Sequence, residues 1–276
     1  LMDGLRMAQT DRPNLTVRYF RHRDFSDLAR LLEQSSADRP RWIVTDSVFS
    51  MDGTCTRPSD LAELVARFDA SLLVDEAHAT GVMGQGGAGL FSFAELAADS
   101  RWWRDPSPRF CIVGTLSKAL ASLGGFLVGS AELVDRMIQA ARPLVYSTSL
   151  PASNVAAALA AIQVANAEPW RRETVAGYTA TLHHALKNQG WKTVGDLDAP
   201  LLGVVVGDHR AAEHMANELL EAGIWTPAIR PPTVKPLECR VRISPTATMA
   251  EGDIQAVINA FEPLARRLRQ DGSYVF

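Results

Sequence analysis

Three short runs constrain the fold most: Ser71–Asp75 (SLLVD), Phe110–Thr115 (FCIVGT) and residues 125–129 (GFLVG) are apolar at almost every position. A strand with one wet face alternates apolar and polar residues, whereas a strand apolar on both faces must be covered on both. The covers are legible between the runs. Phe25, Leu28, Leu31 and Leu32 recur at helical spacing within residues 24–33. Leu61, Leu64, Val65 and Phe68 do so after Pro58, Ser59 and Asp60, a proline-led helix start. Residues 41–49 (RWIVTDSVF) read as a further strand, followed by a turn at Met51, Asp52 and Gly53. Strands buried on both sides with helices between them predict an α/β fold with a mostly parallel sheet.

Beyond a long apolar helix over residues 151–167, the texture changes. Helices are read over 171–188, 210–222 and 249–269, with strands over 201–206, 224–229 and 240–244. This pattern predicts a smaller α+β domain over residues 169–276, after a large domain over residues 1–168. Residues 1–9 read as a helix already under way with no capping residue before it, so the large domain is expected to be N-terminally truncated.

Composition removes several function classes. The formal net charge is -3, from 28 basic and 31 acidic side chains, and the one basic stretch, residues 18–23, is short; no nucleic-acid partner is expected. No apolar run reaches membrane length and no leader pattern opens the chain, so no membrane partner is expected either. Cys55, Cys111 and Cys239 are too scattered for a disulfide framework or a metal site, which suggests no metal and a reducing, cytoplasmic location.

In parallel sheets, ligands gather at the carboxyl ends of the strands. There the chain places Asp46 and Ser50, Asp75 and His78, and Thr115 and Lys118. Asp75 and His78 suit an anion that keeps a heterocyclic nitrogen protonated beside an imidazole bonding a neighbouring oxygen, and equally suit a helix cap or loop salt bridge. Lys118 suits an amine that condenses with an aldehyde, or a plain solvated side chain. Thr115 and Ser117 could offer hydroxyls to a phosphate. The glycines at 81, 84, 86, 87 and 89 read as a flexible loop. Thr148, in the hydroxyl cluster 146–149 before the long helix, could bind phosphate or simply precede a helix cap. Arg242 suits a carboxylate ligand or an ordinary surface position.

Taken in order, TDSVFSMDG at 45–53, VDEAHATGVMG at 74–84, GTLSKALASLGG at 114–125 and YSTSLP at 146–151 resemble the α-oxoamine synthases over nearly the whole chain. These are fold-type I pyridoxal 5'-phosphate (PLP) enzymes of the aminotransferase class I/II group. They are acyltransferases that join an amino acid to an acyl thioester with loss of CO2. IRPPTV at 229–234 and RVRISPTAT at 240–248 are most like the 8-amino-7-oxononanoate synthases of biotin synthesis, which use L-alanine and pimeloyl-CoA or a pimeloyl carrier protein. The resemblance implies that Lys118 holds PLP as a Schiff base and takes the α-proton. Asp75 would pair with the pyridine nitrogen and His78 with the phenolic oxygen, with Ser50 nearby. Thr115 and Ser117 would lie beside the phosphate. Thr148 would reach the phosphate of a partner subunit in a homodimer with a shared active site. Arg242 would bind the amino-acid carboxylate. The resemblance also has gaps. The family's N-terminal arm, its glycine-containing phosphate loop and its ring-stacking histidine have no counterpart here. VKPLECRVR at 234–242 lacks the family's Pro-x-Gly turn. Another amino acid, glycine or serine, or an inactive fragment, are the other outcomes the pattern allows.

Overall fold

The computed structural model describes residues 1–104 and 107–271, with two compact units in the chain. The first unit comprises Leu1–Ser47 and Thr56–Val164. Its elements are α1 (Met2–Asp11), α2 (Phe25–Glu33), β1 (Trp42–Asp46), α3 (Pro58–Arg67), β2 (Ser71–Asp75), α4 (Phe93–Ala97), β3 (Trp103–Arg104), β4 (Ser107–Pro108), β5 (Phe110–Thr115), β6 (Gly125–Val128), α5 (Ala131–Ala140), α6 (Arg142–Val145) and α7 (Ala152–Ala167), in whose last turn the division falls.

The sheet order is β1-β2-β5-β6, with β1, β2 and β5 parallel and β6 antiparallel to β5. A helical connection can return the chain for a parallel strand, whereas the short 116–124 connection can only turn it back. The mostly parallel sheet expected from the apolar runs is therefore present. Leu72 and Val74 of β2, Leu61 and Val65 of α3, and Phe91, Leu96 and Trp102 are all buried, and Phe91 meets Trp102 edge to face at 6.2 Å. Burial of each such side chain contributes about 1.5–3 kcal/mol. The helices start on side-chain caps: Asp24 accepts from the Asp27 N–H at 2.9 Å, and Ser130 from the Leu133 N–H at 3.2 Å. In-register pairing of Asp46 with Asp75 leaves the carboxyl ends of β1 and β2 level, and pairing of Asp75 with Val113 lets β5 run two residues further, to Thr115.

The second unit comprises Val48–Cys55 and the chain from Ala165 on. It contains α8 (Trp170–Asn188), β7 (Lys192–Val194), β8 (Leu202–Gly207), α9 (His209–Glu221), β9 (Ala228–Ile229), β10 (Cys239–Ile243) and α10 (Glu251–Asp271). The antiparallel sheet runs β7-β8-β10-β9. One face packs Leu202, Val204, Cys239 and Val241 against Leu182, Met215, Leu219 and Phe261 of the helices. The other face carries Arg240 and Arg242 and is met by the hairpin Val48–Cys55.

The strand expected over 224–229 shrinks to Ala228–Ile229. Pro227 just before it has no N–H to give a ladder, although its carbonyl accepts from the Arg242 N–H at 3.2 Å. The strand expected over 41–49 ends at Asp46. The Phe49 carbonyl then accepts from the Gly53 N–H at 2.8 Å, closing the turn of the hairpin.

Candidate active site

At the carboxyl end of the first sheet, charges converge. Asp46 closes β1 and Asp75 closes β2 beside it. Burial, then repulsion from Asp75, pushes the Asp46 carboxyl up to about 6, and the Lys118 ammonium pulls against that rise. Asp46 therefore lies within electrostatic reach of both Asp75 and Lys118. The chain has four lysines, Lys118, Lys187, Lys192 and Lys235, and only Lys118 belongs to the first unit.

Local hydrogen bonding fixes the Lys118 turn. After β5 the Leu116 N–H donates to the Gly124 carbonyl at 2.9 Å, the Ser122 N–H to the Leu116 carbonyl at 2.8 Å, and the Ala121 N–H to the Lys118 carbonyl at 3.0 Å. The Thr115 hydroxyl donates to the Gly124 carbonyl at 3.1 Å, accepts from the Ser117 N–H at 3.2 Å and lies 2.7 Å from the Ser117 hydroxyl. Two hydroxyls and one amine are thus presented by a single closed turn, with Ser117 and Lys118 exposed.

The Asp75 carboxylate is oriented by the Ala77 N–H, which donates to its Oδ1 at 2.8 Å. His78 is half-buried in the turn that follows. That turn is set by the Glu76 carbonyl, which accepts from the Ala79 N–H at 2.9 Å and the Thr80 N–H at 2.8 Å. Gly81 marks where it meets the lysine turn: a Cβ there would stand 3.0 Å from the Ala119 Cβ. The His78 and Lys118 turns are therefore in contact.

Sequence reasoning missed Glu76. Its buried carboxylate accepts from the Leu90 N–H at 3.1 Å and the Phe91 N–H at 2.7 Å, tying down the far end of the glycine-rich stretch. Burial pushes its pKa up, against the pull of those two bonds. The glycine stretch is a braced loop, and the flexible loop expected there is replaced by one held on a carboxylate. The available signal was the neighbour rule: Glu76 follows a strand-end aspartate and so faces the other side of the sheet from it.

Thr148, Ser50 and Arg242 complete the candidates. Thr148 is exposed in the 146–150 segment between α6 and α7. Ser50 and Arg242 belong to the second unit, where Arg242 Nη1 donates to the Ser50 carbonyl at 3.1 Å. Among the described residues, the Arg242 Nε is buried with no hydrogen-bond partner, and burial lowers the Arg242 pKa.

A sheet end with two carboxylates, one amine and adjacent hydroxyls defines a class before it defines a protein. The chain belongs to the class I and II aminotransferase family, which it matches over residues 12–261, and its architecture is that of the fold-type I PLP-dependent transferases. Among curated proteins it is 40% identical over 268 residues to a putative 8-amino-7-oxononanoate synthase of Geobacillus kaustophilus, covering 97% of this chain and 65% of that protein. To 8-amino-7-oxononanoate synthase 2 of Bacillus subtilis it is 37% identical over 268 residues, covering 97% and 64%. The chain thus spans just under two thirds of the length of these relatives. Among solved structures, a serine palmitoyltransferase of Sphingomonas wittichii aligns with a TM-score of 0.80 at 28% identity, over 93% of this chain and 61% of that one.

The donor set fits PLP. The cofactor needs an amine for its aldehyde, an anion for its ring nitrogen and hydroxyls or N–H groups for its phosphate. Lys118, Asp75 and the Thr115–Ser117 pair offer these types on two turns that touch. No described helix is long and apolar enough to cross a membrane.

Proposed function

We propose that this chain is the greater part of a cytoplasmic PLP-dependent acyltransferase that condenses L-alanine with a pimeloyl thioester to give 8-amino-7-oxononanoate. The acyl carbon bonds to the alanine α-carbon, the thiol leaves, and the alanine carboxylate departs as CO2. The observation that carries the reading is the convergence of Asp46, Asp75 and Lys118 at one sheet end. The names of the relatives at 40% and 37% identity favour the oxononanoate product.

When bound, PLP supplies an electron sink for the negative charge that develops at the amino acid's α-carbon. Lys118 supplies the anchoring amine and takes the α-proton at Nζ. The Asp75 carboxylate holds a proton on the pyridine nitrogen by charge pairing. The His78 imidazole would bond the phenolic oxygen, with Ser50 as a further cofactor contact. Thr115 and Ser117 would hold the phosphate, and Arg242 would bind the substrate carboxylate with its planar fork.

The working form is a homodimer. Leu144, Tyr146, Val155, Leu159 and Ile162 are exposed apolar side chains on α6, α7 and the segment between them. An apolar surface of this kind marks a partner site, and a second copy is the simplest occupant. Thr148 sits in the same exposed segment and would serve the partner's phosphate.

A second reading, a relative that uses serine or glycine, is favoured by the 28% identity to the serine palmitoyltransferase. Steady-state turnover of the full gene product with alanine, glycine and serine against pimeloyl-CoA separates the two. A preference for alanine is expected, and equal or better turnover with serine or glycine overturns the oxononanoate assignment.

A further inference from the structure

The second unit holds a buried ion pair that none of the assigned roles uses. Along β10, Cys239, Val241 and Ile243 point into the hydrophobic core, so Arg240 and Arg242 share the opposite face. The Arg240 guanidinium forms a salt bridge through Nη1 to Asp52 in the hairpin Val48–Cys55, with the two side chains 5% and 27% exposed. Arg240 Nε also donates to the Glu238 carbonyl at 2.9 Å. Gly203 of β8, opposite Arg242 in register, leaves room for the crossing: a Cβ there would lie 3.1 Å from the Arg240 Cδ and 3.5 Å from the Met51 carbonyl oxygen.

The hairpin held this way touches Arg242 through its Ser50 carbonyl, at 3.1 Å from Nη1. That bond occupies one edge of the guanidinium, while Nε stays buried with no hydrogen-bond partner among the described residues. A buried donor left without a partner is destabilising unless a ligand meets it.

We infer that Asp52 and Arg240 are positioning residues: they pin the hairpin to β10 so that the Ser50 carbonyl turns the Arg242 fork, with its buried Nε–H, toward a substrate carboxylate. The inference rests on the proposed role of Arg242. A bidentate arginine–carboxylate contact depends on orientation as well as charge, so loosening the hairpin weakens carboxylate recognition without touching the cofactor residues.

The test uses the full gene product loaded with PLP. Dissociation constants for L-alanine and for ethylamine, which lacks the carboxylate, are read from the change in cofactor absorbance on titration. The Asp52→Asn variant is expected to weaken alanine binding by about tenfold or more and ethylamine binding by less than about twofold. Asp52→Glu, which keeps the charge, is expected to restore most of the loss. A second readout needs no substrate: in 15N-labelled protein the Arg242 Nε–H is expected to exchange with solvent faster in Asp52→Asn than in the wild type. If Asp52→Asn does not fold, Arg240→Gln carries the same measurements, since it removes the same ion pair from the other side. Arg242→Met separates the two layers of the argument. If it leaves the preference for alanine over ethylamine unchanged, the reading of Arg242 itself fails. If it abolishes that preference while Asp52→Asn and Arg240→Gln preserve it, the positioning inference is overturned and the Arg242 reading stands.

Discussion

Replacing Asp46 by asparagine tests the electrostatics of the sheet end through stability alone. The carboxyl is raised from 3.8 to about 6, chiefly by burial and then by Asp75. Between those values the native protein keeps a proton that the unfolded chain has released, so stability falls as pH rises. The cost is absent below about pH 4 and complete above about pH 6. At about 1.36 kcal/mol for each pH unit, the rise amounts to about 3 kcal/mol. Asp46 is only half-buried, so solvent screening reduces the figure to about 1–3 kcal/mol. Asparagine has the same shape and no charge to lose. Urea unfolding of the wild type and Asp46→Asn at closely spaced pH values from 4 to 8 is expected to show similar stabilities at pH 4. The variant should then gain through the window and hold a constant advantage above about pH 7. An advantage that does not change with pH, or that grows toward acid, refutes the reasoning.

Two further outcomes follow from the packing. Gly53 sits at φ +71°, and a Cβ there would fall 2.2 Å from the Leu201 carbonyl oxygen, so Gly53→Ala is expected to destabilise the second unit by about 2–4 kcal/mol in chemical unfolding. Burial pushes the Cys111 thiol up to about 11, and Cys55 and Cys239 are also buried, so a thiol reagent at pH 8 should find no fast-reacting cysteine in the native protein and all three after unfolding. One fast native thiol would contradict the described core.

The strands were legible wherever burial on both faces left an unbroken apolar run. Phe110–Thr115 and Ser71–Asp75 match their expected bounds, because nothing but a buried strand accommodates those residues between helices. Short elements were not legible. The helix Phe93–Ala97 and the strand pair Trp103–Arg104 and Ser107–Pro108 are too brief to show a period, and their tertiary neighbours decide them. At the sheet end, Asp75 and Lys118 stood out by type and place. Glu76 and Asp52 did not, since their work is to brace other groups. An aspartate inside a Met-Asp-Gly turn looks like ordinary turn chemistry until Arg240 is found against it.

In the proposed mechanism Lys118 is the amine that holds the cofactor. Borohydride reduction of the PLP-loaded protein, followed by peptide mass mapping, tests it directly. The phosphopyridoxyl mass is expected on the peptide containing Lys118 and on no other lysine. The label on Lys187, Lys192 or Lys235, or spread among them, would contradict it.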